Sequence, residues 1–158
     1  MNDAALREHL CWLIREGHAH VPFEDAFDDV PVVKRGARPH GLPWSLWELL
    51  DHIRITQWDI LEFSRNPDHA SPPHPEGYWP ASAEPPTPNA WNETLDRILA
   101  ERNEFESLIR DTTRDLFAAF EWGDGQNLLR EATLVADHNA YHVGQAIALR
   151  RLLGCWDS

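Results

Sequence analysis

The chain has 158 residues, the size of one domain, and we expect a single domain over residues 1–158. Its 14 Lys and Arg residues stand against 26 Asp and Glu residues, a formal charge of −12. This charge repels phosphate backbones and anionic lipids, which argues against nucleic acid or a membrane as a partner. No secretory signal and no run of about 18 apolar residues is present, so we expect a cytoplasmic protein.

The cysteine and histidine counts narrow the chemistry. Cys11 and Cys155 lie far apart, and we expect two free thiols rather than a disulfide or a Cys-rich zinc module. Nine His and eight Trp are high counts for this length. The histidines are the more informative group, because two of them stand at the spacing of metal ligands.

The first two predicted helices lie on either side of a proline-containing stretch. Residues 3 to about 20 carry one apolar stripe at steps of three and four, and this spacing predicts helix one. The stripe consists of Leu6, Leu10, Leu13, Ile14 and Gly17. Ser45 stands three residues before Glu48 in a capping-box pattern, and an apolar stripe follows. Helix two is therefore predicted from about 45 to 66.

Residues 67–88 form a long predicted loop. They contain eight of the twelve prolines together with Gly77, Tyr78 and Trp79, a composition that sustains neither a helix nor a central strand. Long loops in compact domains often cover functional sites. We expect Tyr78 and Trp79 to close the mouth of a site from this loop.

Two further helices complete the predicted fold. Apolar residues at alternating steps of four and three predict helix three from Asn89 to near Phe120. Helix four follows from Asn127 or Leu128 to about Leu153, where Gly154 ends it. The expected fold class is all-α: an antiparallel four-helix bundle with two long connections, one of them proline-rich. Gly144 inside helix four indicates a close approach by a neighbouring helix.

The apolar face of helix four carries two histidines, His138 and His142. A polar side chain in an apolar seam costs a few kcal/mol unless a partner satisfies it. Side chains four positions apart on a helix are about 5–6 Å apart, so both imidazoles can bind one metal ion. A single buried histidine is more often hydrogen-bonded than metal-bound, but for this pair we favour the metal. The sequence between them lacks the Glu of His-Glu-x-x-His, so no general base lies within this motif.

A third ligand is needed, and His52 at the edge of the apolar face of helix two is the best candidate, with His18 in reserve. The alternative for His52 is a half-exposed side chain that donates to Glu48 or Asp59. Three neutral imidazoles with one open position are typical of catalytic zinc, and the same ligands suit nickel, iron or copper. The acids expected to orient the rings are Asp51, Glu48 and Glu131. The remaining histidines are expected on the solvated surface: His9, His20, His40, His69 and His74.

Two segments of the chain resemble the DinB-like superfamily. They are Trp47-Glu48-Leu49-Leu50-Asp51-His52-Ile53 and His138-Asn139-Ala140-Tyr141-His142-Val143-Gly144-Gln145. This superfamily of metal-binding four-helix bundles includes YfiT-type proteins and bacterial low-molecular-weight-thiol transferases. The resemblance implies that His52, His138 and His142 form the metal triad, with water or substrate at the remaining positions. The proline-rich passage of this chain is longer than is usual in that superfamily.

Three classes of function follow. The first is a metal-dependent hydrolase or thiol transferase acting on a small molecule, with a low-molecular-weight thiol as a candidate substrate and Glu131 as general base. The second is a non-catalytic metal-binding or sensing protein. The third is a structural dimerisation module whose histidines satisfy one another. Eight Trp residues are difficult to bury in one chain, so we also expect a homodimer.

Overall fold

The computed structural model describes residues 3–17 and 19–156, and in these residues it has five α-helices and no β-strand. The prediction of an all-α fold is confirmed. The helices are α1 (Ala4–Arg15), α2 (Phe23–Phe27), α3 (Leu46–Arg65), α4 (Ala90–Arg110) and α5 (Leu128–Leu152). Single turns of 3₁₀-helix lie at Val32–Lys34 and Glu76–Tyr78.

The start of α3 agrees with the capping box predicted from the sequence. Ser45 Oγ accepts the backbone N–H of Glu48 at 3.2 Å, and the Glu48 carboxylate accepts the backbone N–H of Ser45 at 2.8 Å. Both N–H groups would otherwise lack a partner at the helix start. The two bonds fix the first turn of the helix that carries His52.

Two helices end earlier than predicted. The first helix ends at Arg15 instead of near residue 20, because Gly17 adopts a left-handed backbone with φ of +64°. Helix α4 ends at Arg110 instead of near Phe120. There the Asp111 carboxylate accepts both the backbone N–H and the hydroxyl of Thr113, which forms a local turn in place of the next helical turn.

Helices α3 and α4 run parallel to each other, which corrects the antiparallel order expected for neighbouring helices. Gln57 Nε2 donates to the carbonyl oxygen of Ile98 at 2.8 Å. Farther along both helices, Arg65 Nη1 donates to Glu104 Oε2 at 2.5 Å. Residue numbers therefore increase in the same direction along α3 and α4, and both helices begin at the same end of the protein.

Helix α5 runs in the opposite direction to α3. The rings of His52 and His142 lie 4.7 Å apart between their centres. Later on α3, Gln57 Oε1 accepts from Asn139 Nδ2 at 3.1 Å, so α5 numbers decrease as α3 numbers increase. This reversal brings the two histidines of α5 to the level of the one on α3.

Helix α1 runs antiparallel to α4, and α2 follows α1 in the same direction. Arg7 donates to the carbonyl of Ile109, whereas Arg15 near the other end of α1 donates to Asn103 Oδ1 at 3.0 Å. Helix α2 then packs beside the later part of α5. The helices α1 and α5 thus run in one direction, and α3 and α4 run in the other.

The parallel pair explains the long connection between α3 and α4. A helix of 20 residues is about 30 Å long, so the chain must return by roughly that distance before α4 begins. Residues 66–89 make this return over the outside of α3. Ser45 at the start of α3 donates to the carbonyl oxygen of Ala83 at 2.6 Å, which fixes the end of the return path.

The buried apolar side chains form two clusters. One lies between α2, the first half of α3, the start of α4 and the end of α5, with Leu49, Ile53 and Trp91 among its members. The other lies between α1, the end of α3, the end of α4 and the start of α5, with Ile60 and Phe105. The polar layer that contains His138 and Gln57 lies between the two clusters along α3 and α5.

Most of the tryptophans are covered by the single chain. Trp47 and Trp91 are buried, and Trp12 and Trp122 are the exposed ones. The others are partly buried: Trp44, Trp58, Trp79 and Trp156. The homodimer stays a prediction, and the number of tryptophans is a weaker reason for it than the sequence suggested.

Both cysteines are free, as expected, with Cys11 buried and Cys155 partly buried. Among the described residues, no helix has the length and apolar content that a membrane crossing requires.

Gly144 does not mark a close approach of helices, which corrects its interpretation from the sequence. A Cβ atom built at this exposed position meets no atom within 4 Å. We therefore expect Gly144→Ala to raise the free energy of unfolding by about 0.5–1 kcal/mol, because alanine is the better helix former. Urea denaturation measures this change, and a decrease in stability would show that another molecule or segment needs the space.

Candidate metal centre

Three histidine rings from two helices meet at one point. His52 on α3 and His138 on α5 place their Nε2 atoms 3.1 Å apart. The rings of His138 and His142 lie 4.5 Å apart between centres, and one ligand atom from each of the three residues lies within 4.8 Å of the others. The structure therefore brings together all three residues that the sequence selected as ligands.

The outer nitrogen of each ring faces an oxygen atom. His52 Nδ1 donates to the carbonyl oxygen of Tyr78 at 2.7 Å, and His142 Nδ1 donates to Gln145 Oε1 at 2.7 Å. His138 Nδ1 lies 3.4 Å from Asn139 Oδ1. A proton on Nδ1 leaves the Nε2 lone pair free, and these are the atoms that converge.

A chain of amides sets the orientation of Asn139. Gln57 is buried, and its amide donates to the Ile98 carbonyl while its oxygen accepts from Asn139 Nδ2. With Nδ2 engaged in this way, Asn139 Oδ1 is turned toward His138. The hydrogen bond from Gln57 on α3 to α4 thus helps to orient the Asn139 amide beside the His138 ring on α5. In the sequence, Asn139 stands out only as a residue between two histidines, and Gln57 carries no signal of a role at the site.

All three imidazoles resist protonation. Burial, together with the neighbouring His142 and His52 rings, lowers the pKa of His138 to about 4. Burial likewise lowers the pKa of His142 to about 4, although its bond to Gln145 opposes the shift. Burial also lowers the pKa of His52. At neutral pH the three rings are uncharged and offer lone pairs to a cation.

The loop between α3 and α4 covers His52. The Trp79 indole stacks on the His52 ring with centres 4.0 Å apart and planes 1° apart, and Trp44 stacks on Trp79 at 5.9 Å. Together with the Tyr78 carbonyl on Nδ1, this fixes the plane and the rotation of the ring. The expected role of Tyr78 and Trp79 at the site agrees with the structure.

A buried carboxylate attaches this loop to α3. Asp59 accepts the Tyr78 hydroxyl at 2.7 Å with one oxygen and faces His69 Nε2 at 2.7 Å with the other. Burial and the bond to Asp59 raise the pKa of Tyr78 to about 12, so the phenol stays a donor. His69 is therefore engaged in the structure and is not the solvated surface residue that its loop position suggested.

Carboxylates do not orient the ligand rings, which corrects the expectation for Asp51, Glu48 and Glu131. Each of these acids forms an ion pair with an arginine instead: Arg54, Arg38 and Arg130, respectively. Burial raises the pKa of Glu131, as suits a proton carrier, but Glu131 does not line the cavity in front of the three rings. Its role as general base stays a prediction.

The other histidines that the structure describes lie apart from the triad or at its edge. His18, the reserve ligand, falls outside the described residues, and His9, His20 and His40 are exposed as expected. His74 is also exposed, but it lines the same cavity as the triad. The proline-rich loop hid this proximity from sequence analysis, because distance along the chain says nothing about where the loop returns.

A cavity of about 470 Å³ opens in front of the three rings. Its wall includes Trp44, Tyr78, Trp79 and Tyr141, and its polar groups include Thr56. The sequence analysis did not select Thr56, which lies one turn after His52 on α3. Its position follows from helical spacing once His52 is known to face the cavity.

The donor set fits a divalent ion. Nitrogens on a tetrahedral zinc ion, each about 2.0 Å from the metal, are roughly 3.3 Å apart, close to the 3.1 Å between the Nε2 atoms of His52 and His138. The imidazoles are neutral, and their outer nitrogens are engaged. An ion held by these three residues alone would keep at least one position for water or a ligand, as in catalytic rather than structural zinc sites.

Comparison with known proteins decides the family. A family model described as the DinB superfamily matches residues 22–146, which is most of the chain. The chain belongs to the DinB superfamily. The matched range includes all three histidines of the triad, and the family predicted from the His52 and His138–His142 segments is confirmed. No curated protein and no solved structure matches the chain.

The low pKa values of the DinB triad predict a pH-dependent stability. In the metal-free protein, His138 and His142 titrate at about 4, whereas the unfolded chain titrates near 6.5. The unfolded chain binds more protons between these values, so the free energy of unfolding falls as the pH decreases from about 6.5 to 4. Urea denaturation in EDTA at about pH 7 and pH 5 measures the fall. The double variant H138Q/H142Q should show a smaller fall, and equal falls would contradict the assignment.

Because the Tyr78 hydroxyl attaches the loop to Asp59, we expect Tyr78→Phe to weaken both the fold and the metal site. Loss of the hydroxyl bond to Asp59 should lower the free energy of unfolding by about 1–3 kcal/mol, as expected for a bond to a charged group. Metal affinity should fall by less than the roughly 10- to 100-fold loss seen when a direct partner of a ligand is removed. Competition with a chelator measures it. Tyr141→Phe is the matched control, and an equal loss there would contradict a specific role for Tyr78.

Proposed function

We propose that this protein is a metal-dependent enzyme that acts on a small molecule, with His52, His138 and His142 as the ligands of one divalent ion. The convergence of three neutral, oriented imidazoles on an open cavity supports the proposal most strongly. Zinc is the proposed ion, with nickel or iron as alternatives of the same ligand chemistry. Such an ion, when bound, lowers the pKa of a coordinated thiol or water toward neutrality.

Thiol transfer is the favoured reaction class, and hydrolysis is the second. Metal-dependent hydrolases with a helical His-x-x-x-His pair typically use a carboxylate as the general base beside the water, and among the described residues that line the cavity none is Asp or Glu. A thiol needs only to lose its proton and meet an electrophile. His74, which lies exposed at the cavity, is the proposed carrier of that proton to solvent.

The protein residues then have separate tasks. The three histidines hold the ion, and Tyr78 and Trp79 hold His52 in position. Trp44 and Trp79 keep water away from one side of the cavity. A thiol substrate enters beside Tyr141, and its electrophilic partner follows from the same open side.

A metal-binding or sensing protein without catalysis is the second candidate. The specific observation in its favour is that Glu131, the acid considered as a base, is paired with Arg130 and lies away from the cavity. In that case the open position binds a regulatory ligand instead of a substrate. Turnover distinguishes the two candidates.

Metal content tests the proposal. Protein purified without a polyhistidine tag should contain about one equivalent of a divalent metal, and EDTA should lower its melting temperature. His138→Ala should lose most of the metal. His40→Ala, which changes an exposed histidine in a loop, should keep it. A metal-free protein whose melting temperature ignores chelators would overturn the metal proposal, with enzyme and sensor alike.

Activity is measured on the same samples. Thiol conjugation to small electrophiles, and hydrolysis of small esters and amides, should be assayed with wild-type protein, His138→Ala and His40→Ala. Metal-dependent turnover that is lost only in His138→Ala supports an enzyme, and its reaction class decides between transfer and hydrolysis. Metal binding without turnover on either panel favours the sensing protein.

A further inference from the structure

The cavity in front of the triad has an aromatic wall. Trp44 and Trp79 are stacked on each other on the His52 side, and Tyr78 lies next to them in the loop. Tyr141 lines the cavity beside His142, with its ring centre 5.0 Å from that of His142. Such a wall is suited to an apolar or planar body, because burial of apolar surface contributes about 25 cal/mol per Å².

Carboxylate, ammonium and guanidinium side chains are absent from the described lining of the same cavity. Among the described residues that line it, none is Asp, Glu, Lys or Arg, and its polar groups are imidazoles, phenols, one amide and the Thr56 hydroxyl. A charged group buried here would lose its hydration without gaining a counter-ion, which is costly. Ligands with a charge on the part that enters the cavity are therefore disfavoured.

The triad itself favours one negative charge. Three neutral imidazoles leave the charge of a divalent ion uncompensated, so an anionic donor atom is favoured at that single point. The net charge of −12 over the whole chain disfavours a ligand with several negative charges. The site thus favours a ligand with one anionic donor atom and disfavours a ligand that carries further charges.

From these observations we infer that the ligand of this site is a small molecule with one anionic or ionisable donor atom on an uncharged, preferably aromatic, body. Tyr141 is then a residue that determines specificity for this ligand. The inference rests on the proposed metal centre. It disfavours nucleotides, sugar phosphates and peptide thiols that carry several carboxylates, because the described lining of the cavity has no Lys or Arg to pair with their additional charges.

Tyr141 is the residue at which this preference can be changed. Its side chain is 64% exposed, so it contributes little to the core, and it follows His138 by three positions on α5. An arginine at this position would place a cation at the edge of the cavity. Leu152 on the same helix is also 64% exposed and does not line the cavity. Leu152→Arg is therefore a control with the same charge added elsewhere.

The test uses the full chain loaded with Co²⁺, whose absorption bands report thiolate binding. Three probes are titrated: 4-methylbenzenethiol, 4-sulfanylbenzoate, which carries a second negative charge at the far end, and 2-sulfanylethanol, which has no aromatic body. Thiolate concentrations are matched by adjusting for the thiol pKa of each probe. We expect wild-type protein to bind the first probe at least about 10-fold more tightly than either of the others, which corresponds to about 1.4 kcal/mol.

The variants give the second result. Tyr141→Arg should reduce or reverse the preference for 4-methylbenzenethiol over 4-sulfanylbenzoate, and Leu152→Arg should leave the wild-type ratio unchanged. Equal affinities in wild-type protein, or an equal shift in both variants, would overturn the inference. The wild-type ratio decides the inference even if Tyr141→Arg fails to fold. Absence of Co²⁺ binding would overturn the metal proposal itself, whereas Co²⁺ binding without a preference would overturn only the ligand class.

Discussion

The parallel direction of α3 and α4 is the constraint on which the site depends. Because both helices begin at the same end, the chain that leaves α3 at Arg65 must pass back along the whole helix before α4 begins. His52 lies about 20 Å before the end of α3, directly under this path. A short turn between antiparallel helices would stay at the far end of α3. The return path instead brings the Tyr78 carbonyl and the Trp79 ring to one histidine, so the topology supplies one wall of the candidate metal centre.

The three imidazoles are tolerated in the interior because each has an oxygen for its outer nitrogen. Tyr78, Asn139 and Gln145 provide these oxygens from the loop and from α5 itself. The inner nitrogens are left to face one another, and burial opposes the protons that could otherwise satisfy them. A cation shared by the rings satisfies all three lone pairs at once. Burial therefore disfavours a proton on each ring but preserves the lone pairs that a metal ion requires.

Local patterns in the sequence predicted what depends on local structure. The helical spacing of His138 and His142, the capping box at Ser45 and the position of His52 on its helix follow from periodicity, and the structure brings these histidines together. The direction of α4 and the path of residues 66–89 depend on long-range packing, which periodicity does not report. One signal was present: neighbouring antiparallel helices are usually joined by 2–8 residues, and a 22-residue predicted loop favours a return along the helix. The turn at Asp111 was missed because the apolar period continues to Leu116, which is buried without being helical.

The use of carbonyl and amide oxygens instead of carboxylates beside the rings has a chemical consequence. A carboxylate on Nδ1 makes an imidazole more basic and adds negative charge near the ion, whereas a neutral oxygen orients the ring without adding charge. The acids expected there, Asp51 and Glu48, are instead neutralised by arginines. An ion held by His52, His138 and His142 would consequently keep more of its positive charge and polarise a ligand more strongly. The described part of the cavity wall offers no compensating anion either, so under the proposed function the remaining negative charge would come from the ligand, and the neutrality that makes the bound ion electrophilic would also set the selectivity of the site.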